Sequence, residues 1–153
     1  MTMEQKIPQT IEIEHEELHE ELAKAMRVGG RTGEAARRVM KILQAHMARE
    51  SALVRPALAL LAPLAAGRIP PDADAHIERG EALRAEMPRM VEEHQMIVEA
   101  LRELMRSAAE EQQHQGYAHF AQKLIAHAQS EEEVLYPAAL LVGEYLKARL
   151  KPS

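Results

Sequence analysis

The chain has 153 residues, 46% apolar, 28% charged and 3% aromatic, with a formal net charge of −5 and neither cysteine nor tryptophan. That length suits one compact domain, and the missing thiols exclude disulfides, thiolate catalysis, iron–sulfur clusters and sulfur-ligated zinc. A negative field argues against nucleic acid and anionic lipid as partners, and the longest mainly apolar run, Ala57 to Ala66, is far shorter than a membrane span. A soluble, cytoplasmic protein is therefore expected, and any metal it holds must be bound by nitrogen and oxygen.

Residues 1–9 read as an N-terminal tail. Thr10 is placed to cap a first helix whose apolar face runs through Ile11, His15, Leu18, Leu22, Ala25 and Met26 and stops at Gly29-Gly30. Thr32 is placed to cap a second, through Val39, Leu43, Ala45, Leu53 and Leu60 to Gly67, bent by Pro56 and Pro63. After the turn Ile69-Pro70-Pro71-Asp72 a third helical stretch runs from near Asp74 to about Ser107, with Gly80 and Pro88 marking a break before Met90. The fourth spans about Gly116 to Lys147, and the polar residues Glu110 to Gln115 separate it from the third. Val and Ile are sparse and no strand-length alternation occurs, so the fold class is all-α: an up-down-up-down four-helix bundle.

An internal repeat divides that bundle into two similar helical hairpins. EHEELHEELAKAM (14–26) superimposes on EHQMIVEALRELM (93–105), aligning His15 with His94. AHMARESALVRPAL (45–58) superimposes on AHAQSEEEVLYPAA (126–139), aligning His46 with His127, Glu50 with Glu131 and Pro56 with Pro137. Each hairpin thus offers one lone histidine and one His-x3-Glu pair, whose members share a helix face.

Axial level strengthens the pattern. In antiparallel helices, residues equally far from the connecting turn share a height, at about 1.5 Å of rise per residue. The midpoint of His15 and His46 falls beside Gly29-Gly30, that of His46 and His94 at Pro70-Pro71, and that of His94 and His127 within Glu110 to Gln115. A lone inward histidine is ordinarily a hydrogen-bonded core residue. Four at one level with two carboxylates would be costly to bury without a cation. The donor set suits iron, manganese or zinc, and facing carboxylates can bridge two ions, so a dinuclear site is expected at His15, His46, Glu50, His94, His127 and Glu131.

The twice-repeated order His15…His46-x3-Glu50 and His94…His127-x3-Glu131, with Glu131-Glu132-x-x-Leu135-Tyr136-Pro137, resembles the hemerythrin-like, His-His-Glu cation-binding domain family over roughly residues 10–150. The resemblance implies a four-helix bundle holding two iron ions with a bridging oxo or hydroxo group, Glu50 and Glu131 as bridging carboxylates and the four histidines as terminal ligands. A small diatomic or peroxide ligand would be the partner, in storage, sensing or stress defence. Where oxygen-carrying members place a second histidine before the third-helix ligand, this chain has Met90; where they place an aspartate five residues after the fourth-helix histidine, it has Glu131 at four. Fewer imidazoles leave an open position that favours peroxide or nitric oxide as much as oxygen storage. His19, one turn after His15, is a further candidate to face inward.

Other patterns compete. His15-Glu16-Glu17-Leu18-His19 matches the zinc-peptidase sequence H-E-x-x-H, with Glu16 as general base, but leaves the repeat unexplained. A helical interaction module with a structural metal is another alternative. A ferritin-like carboxylate pattern fails because Glu12-x-x-His15 and Glu16-x-x-His19 share one helix. His76, His114 and His119 default to surface or capping roles, Met40, Met90, Met96 and Met105 to core filling, and Glu110-Glu111 to solvated surface.

Overall fold

The computed structural model describes residues 8–111 and 115–150, and those residues form helices and turns with no strand among them. In chain order they are α1 (Gln9–Met26), α2 (Gly30–Leu53), the short α3 (Arg55–Leu58) and α4 (Leu61–Ala65), the long α5 (Ala73–Glu110), α6 (Gln115–Ser130), a π-helical turn (Glu131–Leu135) and α7 (Tyr136–Leu150). No described helix is long and apolar enough to cross a membrane.

The helix ends differ from expectation in instructive ways. Pro8 and Gly29 stand at the N-caps of α1 and α2, with no side-chain cap bond, whereas Thr10 lies inside α1 and Thr32 is buried inside α2. The backbone N–H groups of Arg31 and Thr32 donate instead to Glu111 Oε1, at 2.8 and 3.2 Å, and Arg31 Nη1 pairs with Glu110 Oε2 at 3.1 Å. Glu111 is therefore not idle surface: its carboxylate meets the free N–H groups and the positive dipole end of α2, while Glu110 stays exposed and pairs with the Arg31 side chain.

Pro56 and Pro63 divide the second stretch as expected, each within a short helix. Gly80 and Pro88 break nothing; both lie inside α5. Pro88 and Arg84 are exposed, so the carbonyl that loses its helical donor can turn to water. Gly80 serves packing: a Cβ there would sit 3.3 Å from Gly143 Cα, so α5 and α7 cross backbone against backbone. The fourth stretch is interrupted by the π-helical turn, which periodicity did not reveal. The turn expected between Glu110 and Gln115 includes residues 112–114, and it lies, with His114, outside the described residues.

In the packed molecule α2 contacts α1 and α5, α5 contacts α6 and α7, α1 contacts α6, and α3 contacts α7. Two apolar clusters result. One gathers Leu22, Val39, Met40, Ile97, Leu101 and Leu124; the other gathers Val54, Leu58, Leu83, Met90, Tyr136 and Leu146. Along α2 the residues between the clusters are His46 and Glu50; along α5, His94; along α6 and the π-turn, His127 and Glu131. The chain thus carries a titratable layer sandwiched between two dry ones.

Candidate metal centre

All six residues singled out by spacing converge in that layer. His46, Glu50, His94 and Glu131, all buried, bring one donor atom each within 4.8 Å of one another; His15, His127 and Glu131 do the same. Glu131 belongs to both groups. The imidazoles accordingly form two pairs, with ring centroids 4.5 Å apart for His46 and His94 and 4.8 Å apart for His15 and His127.

Ring orientation follows from the neighbours. His46 Nδ1 lies 3.2 Å from Glu93 Oε1, His94 Nδ1 2.9 Å from Glu132 Oε1, and His127 Nδ1 2.7 Å from Glu14 Oε1. An ionised carboxylate only accepts, so each of these contacts favours the proton on Nδ1 and aims Nε2 at the centre. There the Nε2 atoms of His46 and His94 stand 2.8 Å apart, and buried His127 Nε2 has no hydrogen-bond partner. Converging imidazole nitrogens and an orphaned buried one fit a cation better than they fit each other. His15 differs: Arg55 Nη2 approaches its Nδ1 at 3.2 Å, donating where the other rings donate.

The carboxyls show the same demand. Burial first, then the hydrogen bond and charge of Glu50, push Glu131 up to about 11. Burial alone would raise Glu50 too, but hydrogen bonds to Glu131, His46 and Tyr136 outweigh it and hold Glu50 well below the usual range. Burial would likewise lower His46, yet the carboxylates of Glu50 and Glu93 prevail and raise it. His94 is lowered by burial and then by the neighbouring His46 charge; His15 is lowered by burial, His127 and Arg55.

Several participants were not foreseen. Tyr136, fully buried, donates from its hydroxyl to Glu50 Oε1, and the hydroxyl oxygen lies 2.9 Å from His46 Nε2 and 3.0 Å from His94 Nε2. Glu14, Glu93 and Glu132 each immediately precede or follow a candidate donor in sequence, and each reaches a ring on a neighbouring helix. The Glu14-His15 and Glu93-His94 dipeptides occupy matching repeat positions, which was a legible signal for the first two.

Other expectations need correction. His19 is exposed and stands outside both donor groups, although it lines the adjoining cavity. Glu16 is exposed as well, so the H-E-x-x-H residues do not assemble a site; His15 joins His127 and Glu131 instead. His76 is buried, its Nε2 3.3 Å from Asp72 Oδ2, whereas His119 is exposed as expected. Met96 is exposed rather than core-filling because it lies on the outer face of α5, beside buried Ile97.

A cavity of ≈ 30 Å³ adjoins the donors, walled by Leu18, Leu43, Met47, Ile97 and Leu124. Compared with protein-family models, with curated proteins and with solved structures, the chain matches none. The chemistry of the donors therefore carries the functional reading.

Proposed function

We propose that the chain is a hemerythrin-like, non-haem di-iron protein, its four long helical stretches forming an up-down-up-down bundle of two hairpins. It binds or reduces a small oxidant: dioxygen, peroxide or nitric oxide. The observation that carries this reading is the sharing of Glu131 between two groups of buried nitrogen and oxygen donors. His46, Glu50, His94 and Glu131 would hold one ion, and His15, His127 and Glu131 the other; Glu50 belongs to the first group and is hydrogen-bonded to the shared Glu131. Iron in such a set supplies electrons to, or reversibly holds, a small oxidant.

The chain's own residues prepare that chemistry. Glu14, Glu93 and Glu132 keep protons on the outward ring nitrogens, which fixes the tautomers and raises the basicity of Nε2. Leu18, Leu43, Ile97 and Leu124 give the ≈ 30 Å³ space beside the donors a largely apolar wall, and that space has room for a diatomic molecule. Met90, buried in the apolar cluster that holds Tyr136, supplies no fifth imidazole, which leaves coordination capacity for the incoming oxidant.

The test is metal analysis after expression in iron-, manganese- and zinc-supplemented media, with absorption spectra before and after exposure to air, peroxide and nitric oxide. Two irons per chain and an oxidant-dependent visible spectrum are expected. A single zinc, or metal with no spectral response to any oxidant, would overturn the reading.

A further inference from the structure

The repeat that makes the two halves alike also shows where they part. In the alignment that pairs His46 with His127 and Glu50 with Glu131, Arg55 falls on Tyr136. Arg55 reaches one histidine of its pair, and Tyr136 reaches both of its own. Arg55 stands 3.2 Å from His15 Nδ1, and the Tyr136 hydroxyl contacts Glu50, His46 and His94. One half of the centre faces a guanidinium, a group that can only donate and repels cations; the other faces a hydroxyl oxygen.

How Tyr136 gets there is a matter of backbone geometry. Five residues separate it from Glu131, and in a regular α-helix that spacing rotates a side chain about 140° away from its starting direction. The π-helical turn Glu131–Leu135 removes most of that rotation: Tyr136 N–H donates to the Glu131 carbonyl, an i to i+5 bond. The bulge, a costly irregularity in a continuous helix, brings Glu131 and Tyr136 to the same side. Packing alone does not require it, since a phenylalanine would fill the apolar cluster equally well. The hydroxyl oxygen, however, lies among Glu50, His46 Nε2 and His94 Nε2, within about 3 Å of each ring nitrogen. Those three residues, with Glu131, are one of the two donor groups.

We propose that Tyr136 Oη is itself a ligand of the cation held by His46, Glu50, His94 and Glu131, so that the two metal positions are chemically distinct. The proposal rests on the di-iron reading above. As the oxygen–metal bond forms, the O–H bond breaks and the proton passes by way of Glu50 to solvent; no electrons are transferred in this step.

A phenolate bound to ferric iron has two signatures that imidazole and carboxylate ligands lack, a phenolate-to-iron charge-transfer band in the visible and enhanced tyrosinate ring modes in the resonance Raman spectrum. The full chain, loaded with iron and oxidised in air, is expected to show both. Tyr136→Phe, which keeps the ring in the core, is expected to lose both while still taking up iron, and Tyr117→Phe and Tyr145→Phe are expected to keep them. Ring-deuterated tyrosine in the wild-type chain should shift the Raman modes, a check that needs no variant to fold. Two irons without tyrosinate modes, or modes that survive in Tyr136→Phe, would overturn the proposal and leave the di-iron reading standing. A chain that binds no iron would overturn both.

Discussion

Carboxylates on the outward nitrogens of His46, His94 and His127 do two things at once. They select the tautomer whose Nε2 can bind a cation, and they hold each ring against rotation. Removing one should weaken metal binding without unfolding the chain. Glu132→Ala is expected to lower metal affinity about 10- to 100-fold, measured by competition with a chelator, at unchanged helix content. Equal affinity in the variant would show that His94 needs no such support. A histidine outside both donor groups adds to the response to acid. Burial first, and then Arg79, hold His76 below its ordinary value of 6.5 against the opposing pull of Asp72. The unfolded chain takes up this proton more readily than the folded one, so His76 supports stability above pH 6.5 and withdraws that support as pH falls toward its lower folded value. Thermal melts of the metal-free chain between pH 7.5 and about 5 should show a shallower acid decline in His76→Gln than in wild type. An identical slope would contradict the assignment. At this scale the sequence disclosed the six inward donors because helical spacing and turn midpoints restrict them. It did not disclose Tyr136 or Arg55, whose reach depends on a bulged turn and a helix break that no periodicity encodes.

Among the elements, α2 begins without a cap of its own and takes one from the far end of α5. Glu111 Oε1 accepts from two successive backbone N–H groups, those of Arg31 and Thr32. Glu111→Ala is expected to cost about 1 kcal/mol, within the range for losing a helix cap, and to lower the thermal midpoint by about 2–4 °C. A midpoint unchanged by the substitution would mean that water replaces the carboxylate without loss. Helical identity, the Gly29-Gly30 and Pro70-Pro71 turns and the interruptions at Pro56 and Pro63 were legible, because glycine and proline act locally. The misreadings had tertiary causes. Gly80 lies inside α5 because α7 crosses it at Gly143, and Pro88 lies inside because its exposed face tolerates a lost hydrogen bond. A threonine at a helix start suggested a cap, yet a glutamate from a distant helix took the role at α2.

On the scale of the whole molecule, a titratable layer divides the interior into two apolar clusters. Such a layer stabilises the fold only when its charges are matched, and Glu131, pushed up first by burial and then by Glu50, lacks such a match. Metal binding and folding should therefore be coupled. At free metal about 100 times the dissociation constant, linkage adds about 2.7 kcal/mol, so a chelator is expected to lower the thermal midpoint by about 5–10 °C. A midpoint indifferent to the chelator would place the metal outside the layer. The central claim is that Glu131 serves two ions, and metal stoichiometry in Glu131→Ala tests it most directly, with Glu16→Ala as an exposed control on α1. Two metals per chain in wild type and in Glu16→Ala, with occupancy at both positions lost together in Glu131→Ala, is the expected result. Retention of two metals by Glu131→Ala, or loss of only one, would contradict it.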